Sequence, residues 1–178
     1  MRRPGGRKAL EPDQASDSNL ARNVATNLLA GRDHATAELS RKLTERGFTP
    51  AAIEAALAEL QRSDSLNDER YGQNVVRYRS RRGQGPARIR QELRKAGVTA
   101  ELADAAVKGG EDLPDFARLA RETRVRKFGS EVPKDWKERS RQARFLQYRG
   151  FSNDHIRAAM EGDVEADSPD PGGEPDQS

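Results

Sequence analysis

The chain repeats itself three times. ERGFTPAAIEAAL (45–57), KAGVTAELADAAV (95–107) and YRGFSNDHIRAAM (148–160) align without gaps, with Gly47, Gly97 and Gly150 in register at spacings of 50 and 53 residues. Each Gly is followed by an apolar residue (Phe48, Val98, Phe151) and then by Thr49, Thr99 or Ser152. This is the chemistry of one helix ending and another beginning. Glycine reaches the left-handed conformation that closes a helix. The apolar residue can fold back over the junction, and the hydroxyl can cap the next helix. Pro50 suits the first position of that helix.

The residues before each Gly are also helical in pattern. Leu39 and Leu43, then Ile89 and Leu93, are four apart and share a face. In the third copy Leu146 keeps the second place and the first falls at Gln142–Ala143. A further helix lies upstream in each copy. Leu20, Val24 and Leu28 lead to Gly31; Tyr71, Val75 and Tyr78 lead to Gly83; Phe116, Leu119, Ala120 and Thr123 lead to Gly129. Asp33, Gly85-Pro86 and Asp135 are the expected starts of the middle helices. No stretch alternates with period two. The predicted fold is all-α: three tandem three-helix repeats over 19–64, 67–109 and 112–161, nine helices in an elongated stack.

Composition bears on how such repeats can be stable. Leu, Ile, Val and Phe together make up about 17 % of the chain, and 34 % is charged, close to the range of unfolded sequences. Residues 1–18 and 162–178 show no periodicity and are expected to be a disordered basic arm and a disordered acidic tail. The remainder is still lean in large apolar residues. Alanines such as Ala52, Ala56, Ala103, Ala106 and Ala159 allow close helix approach, and stacking between neighbours stabilises units too small to stand alone.

Other classes fall away. No stretch is long and apolar enough to span a membrane, and no signal-peptide core follows the basic start. With no Cys there are no disulfides, thiolate metal sites or thiol nucleophiles; this fits a cytoplasmic protein. His occurs only at 34 and 155, with no clustered ligands around either, so neither metal nor cofactor is expected. Gly83-Gln84-Gly85 reads as a turn between helices rather than a phosphate cradle. No nucleophile, base or paired carboxylates stand out, and an enzyme is not expected.

The net charge of +3 is a sum of opposites. Residues 161–178 hold seven acids and no base, leaving +10 for residues 1–160; stretches 67–97 and 115–150 each carry +6. A basic middle suits a polyanion or an acidic protein groove; the plain alternative is a solvated, Arg-rich surface. Arg70, Asn74, Arg77 and Arg81 share one helix face, and Arg82, Arg88, Arg90, Arg94 and Lys95 follow. The third repeat adds Arg118, Arg121, Arg124, Arg126 and Lys127. Arg suits carboxylate and phosphate recognition through its planar fork. Few aromatics interleave with these bases, which argues against a stacking platform for single strands. The aromatic residues Phe48, Phe116, Phe128, Trp136, Phe145 and Phe151 are assigned to the core, with Tyr71 and Tyr78 half-buried.

These segments resemble the RecX family, regulators of the RecA recombinase. The resemblance rests on ATAELSRKLTERGF (35–48), LNDERYGQNVVRYRSRRGQGPARIRQELRKAGV (66–98) and RQARFLQYRGFSNDHI (141–156) and covers about residues 20–160. Its most specific part is the Leu-x-Asp-x-x-Tyr start at Leu66 and the Arg-x-x-x-Gly-x-Gly-Pro-x-x-Ile turn from Arg79 to Ile89. Gly72 departs from the family, which usually has Ala there, at a helix cost of about 1 kcal/mol at most. The resemblance implies a non-enzymatic protein of tandem three-helix repeats lying in the groove of the RecA–DNA filament; for the oligomeric state, a monomer is the default expectation. Such a protein suppresses filament extension, ATP hydrolysis, strand exchange and co-protease activity, and so bears on DNA repair and the SOS response. The basic second and third repeats would face the filament and single- or double-stranded DNA. The competing reading is a stand-alone helix-turn-helix-like DNA-binding protein.

Overall fold

The computed structural model describes residues 10–108 and 113–161. Among these, every regular element is a helix. A short α1 (Pro12–Ala15) precedes three triplets: α2 (Ser18–Gly31), α3 (Thr36–Thr44) and α4 (Pro50–Arg62); α5 (Asp68–Arg81), α6 (Pro86–Ala96) and α7 (Ala100–Lys108); α8 (Phe116–Phe128), α9 (Trp136–Tyr148) and α10 (Asn153–Met160). The most extensive helix pairings are first with third in each triplet: α2 with α4, α5 with α7, α8 with α10.

The repeated junction has the same geometry three times. Gly47, Gly97 and Gly150 have φ of 92°, 93° and 89°. The next residue's N–H reaches back over the helix end: Phe48 to the Leu43 carbonyl at 3.3 Å, Val98 to Leu93 at 3.0 Å, Phe151 to Leu146 at 3.2 Å. These bonds satisfy carbonyls the helix itself leaves unpaired. All three reaching side chains are buried, and Leu43, Leu93 and Leu146 are fully so. The hydroxyls of Thr49, Thr99 and Ser152 then accept from the N–H of Ala52, Leu102 and His155 at 3.3 Å each.

Several expectations are corrected. Residues 12–18 do not belong to an irregular arm: α1 forms there, the Thr49 N–H donates to the Ala15 carbonyl at 2.8 Å, and Leu10 packs on the first core. Residues 1–9 and the acidic tail from 162 lie outside the described residues. Asp33 does not start α3. Its N-cap is Ala35, which has no side-chain cap; Asp68 of the next repeat instead accepts from the Thr36 N–H at 2.8 Å. Trp136 is 80 % exposed rather than in the core, whereas Tyr78, at 51 % exposed, is half-buried as expected. The fully buried stripe of α2 is Ala21 and Ala25, with Leu20, Val24 and Leu28 flanking it.

Among the described residues there are two hydrophobic cores. The first repeat has its own, built on Leu39, Leu43, Phe48, Ile53, Leu57 and Leu60. The second and third share one, which runs from Val76, Ile89 and Leu93 through Phe116 and Leu146 to Phe151 and Met160. Gly85 and Gly150 make this possible by letting the backbones touch: the N–H groups of Gly85 and Ala87 donate to the Arg149 and Gly150 carbonyls at 2.8 and 3.0 Å. Gly72 has a similar cause, since a Cβ there would lie 3.2 Å from the Ala106 Cβ.

Candidate functional site

The thirteen bases singled out by sequence do not form one uniform patch. On α5, Arg77 and Arg81 point to solvent. Arg70 is committed to the turn before the helix: its guanidinium donates to the Asp64 carboxylate at 2.6 Å and the Asp64 carbonyl at 2.7 Å. Hydrogen bonds from Asn67 and Arg70 hold the Asp64 carboxyl below its ordinary range. Asn74, on the same face, donates to Asp33 of the first repeat at 2.7 Å.

Past the Gly83 turn the surface becomes more uniformly basic. Arg82 lies 4.6 Å from the Tyr78 ring centre, a cation–π geometry that orients both groups. Arg149 donates to the Arg82 carbonyl at 2.9 Å and ties this corner to the third repeat. Arg88, Arg94 and Lys95 are exposed on α6. Arg90 is not free: its Nε stands 2.7 Å from an Asp104 carboxylate oxygen and it is partly buried. Arg79, next to Tyr78, pairs with Glu92.

In the third repeat Arg124 is a correction. Its side chain is 1 % exposed. It donates to the Glu131 and Ser130 carbonyls at 2.9 and 3.1 Å and to Gln142 at 3.3 Å. Burial, with Arg121 nearby, lowers its pKa. These bonds hold the turn between α8 and α9, and the side chain is not exposed as the basic surface would require. Arg118 pairs with Glu122 one turn on at 2.9 Å, Arg121 is half-buried, and Arg126 and Lys127 are exposed.

A groove of about 740 Å³ runs between the first two repeats, lined by Arg32, Glu38, Tyr71, Tyr78, Arg79 and Lys95. Glu38 organises its floor. Burial alone would raise its carboxyl, but hydrogen bonds and charge from Arg32 and His34 outweigh it and hold the group below its ordinary value. His34 Nδ1 lies 3.1 Å from the carboxylate. The groove is therefore a mixed-charge joint. Among the described residues, no group of three or more His, Asp or Glu could hold a metal, and no helix is long and apolar enough to cross a membrane.

Sequence reasoning missed the Tyr78–Arg82 stack, the Arg149 bridge and the bases of α9. Only the last had a readable signal: Lys137, Arg141 and Arg144 recur at helical spacing.

What the bases can do together is bind anions across one shared backbone unit. Ten of the thirteen are exposed; of these, Arg70 and Arg118 pair with acids, and Arg82 is held by an aromatic ring rather than an acid.

Comparisons with known proteins agree with this architecture. Family models for the first, second and third three-helix domains of RecX match residues 21–60, 67–107 and 115–160. Regulatory protein RecX of Halorhodospira halophila is 42 % identical over 88 % of this chain and 96 % of its own. That of Pseudomonas syringae pv. tomato is 43 % identical over 79 % and 90 %. The crystal structure of RecX from Lactobacillus salivarius superposes with a TM-score of 0.68 at 21 % identity, covering 81 % of this chain and 94 % of that one. The fold, the three domain matches and the relatives agree: this chain belongs to the RecX family of regulatory proteins.

Proposed function

We propose that this protein regulates a RecA recombinase by binding the recombinase–DNA filament, where it inhibits filament extension, ATP hydrolysis, strand exchange and co-protease activity and so modulates DNA repair and the SOS response. The observation that carries this reading is the arrangement of Arg77, Arg81, Arg82, Arg88, Arg94 and Lys95. They are exposed bases on two consecutive helices and the turn between them, in the part of the chain that shares one core with the third repeat. An exposed basic surface suits a long, anionic, regular partner. Its guanidinium groups match phosphate and carboxylate equally well.

The alternative, a stand-alone duplex reader, is weakened by Asn74. This amide shares a helix face with Arg70, Arg77 and Arg81, where it could read a base edge, and it is committed to Asp33. Titrating the full chain into recombinase assembled on single-stranded DNA is the test. ATP hydrolysis falls at substoichiometric protein if the reading is right; no fall at equimolar protein sinks it. Sequence-selective duplex binding without recombinase would favour the alternative.

A further inference from the structure

The outward face of α9 is largely bare; of its bases, Arg141 reaches back over the Phe128 ring of α8 at 5.1 Å. Its inward residues Gln142 and Leu146 are buried. On the opposite side Lys137, Arg141, Arg144 and Tyr148 recur at three- and four-residue spacing and form one stripe, with Trp136 at its start. Trp136 is 80 % and Tyr148 83 % exposed, whereas Phe48, Phe116 and Phe151 are buried. Trp136, Lys137, Ser140, Arg141 and Arg144 border one depression in the surface.

The acids of this helix are already engaged. Asp135 accepts from the Glu138 N–H at 3.1 Å as the helix cap. Glu138 accepts from Arg141 at 2.7 Å and from Gln142 at 2.9 Å. Lys137 and Arg144 are exposed and have no carboxylate partner among the described residues. The stripe therefore offers two uncompensated positive charges between two bare aromatic rings.

We propose that this face of the third repeat is a binding site for single-stranded nucleic acid, with bases stacking on Trp136 and Tyr148 and the intervening phosphates held by Lys137 and Arg144. Duplexes hide their base faces, so they would engage the charges but leave the rings unused. Unstacked bases use both. Twelve residues of helix separate the positions of the two rings by about 18 Å along the axis, so the two bases that stack are not neighbours in the strand. Base identity is unimportant at such a site, because every base has a π-face. The site lies on a different helix from the bases assigned to the filament.

Trp136 is the only Trp in the chain, so its fluorescence reports directly. The full-length protein, without recombinase, is titrated with an oligothymidylate of about ten nucleotides. Quenching is expected. By anisotropy of a labelled oligonucleotide, W136A and Y148A each weaken binding about fivefold or more, and W136F retains most of it. K137A/R144A lowers the slope of log affinity against log salt by about 1.4, the share of two phosphates on a single strand. Circular dichroism checks that each variant is folded. Absence of quenching, or parental affinity in both W136A and Y148A, overturns the proposal. So does quenching by polyglutamate but not by the oligonucleotide, which would make this a protein-docking face. With no recombinase present, none of these outcomes bears on the filament reading.

Discussion

Gly85 and Gly150 touch backbone to backbone: a Cβ on Gly85 would lie 2.4 Å from the Gly150 carbonyl carbon, and one on Gly150 would lie 2.5 Å from the Arg88 nitrogen. This contact joins the second and third repeats. The Gly-x-Gly-Pro turn supplies the flat surface, the repeat's terminal Gly-Phe supplies the other, and two hydrogen bonds seal them. The shared core follows from it, because Ile89 and Phe151 flank the two glycines in sequence and both are buried.

The three repeat glycines provide a graded test. All have nearly the same positive φ, so Ala costs each a similar conformational strain, about 1 kcal/mol. Their surroundings differ: nothing lies within 4 Å of a Cβ on Gly47, whereas one on Gly97 would meet the Ala37 Cβ at 2.3 Å. Urea unfolding should give G47A a loss of about 1 kcal/mol, with G97A and G150A losing distinctly more through overpacking of about 1–3 kcal/mol. Gly97→Val should be worse again. A37G should recover part of the G97A loss, and equal losses at all three positions would refute the account.

Arg124 is a structural residue among bases that look alike in sequence. R124A leaves the Ser130 and Glu131 carbonyls without the donors they now have and should cost about 2–4 kcal/mol. Lys, a point donor, should recover only part. A change under about 0.5 kcal/mol in urea unfolding, the range of ordinary surface substitutions, would return Arg124 to the contact surface. The expected outcome is that any functional loss in R124A follows the unfolded fraction.

Much of the fold was legible because local chemistry recurs. Gly47, Gly97 and Gly150, their capping hydroxyls and the Leu39–Leu43 and Ile89–Leu93 pairs state the same junction, and periodicity reads such elements well. What was illegible depended on long-range packing. Nothing local says that Asp68 replaces Asp33 at the start of α3, since that bond crosses 32 residues. Nor does a two-residue spacing separate exposed Arg126 from buried Arg124, because the turn that buries Arg124 comes later in the chain. Trp136 looked like core by residue type alone, and its place on the helix wheel showed otherwise only once the inward face of α9 was fixed by Gln142 and Leu146.

His155 should make stability sensitive to mild acid. Its Nδ1 accepts from the Ser152 N–H at 3.3 Å, which needs a neutral ring. Burial lowers its pKa from 6.5, with Arg90 adding to this and the Asp154 and Asp115 carboxylates opposing it. The unfolded chain therefore takes up a proton that the folded chain refuses. This contribution is complete above about pH 6.5 and is lost as the pH falls from there toward the folded-state pKa. H155Q keeps a capping-box acceptor without the titration. Urea midpoints at about pH 7.5 and about pH 5.5 should diverge more for the parent than for H155Q; parallel shifts would remove His155 from the account.

The last prediction separates a functional surface from a merely solvated one. Arg77, Arg81 and Arg88 are exposed, and no acid pairs with them among the described residues. Replacing all three with Ala should alter stability by no more than about 1 kcal/mol, since exposed charges contribute little. Only the Arg88 backbone and Cβ support the Gly150 contact, and Ala keeps both. The same variant should require much more protein to inhibit recombinase ATP hydrolysis, because three phosphate- or carboxylate-binding forks are lost. Its inhibition should also become less sensitive to salt, as fewer ionic contacts remain to be screened. If the variant inhibits as well as the parent at both low and high salt, the basic face of α5 and α6 is only a solvated surface and the filament contact must lie elsewhere on the chain.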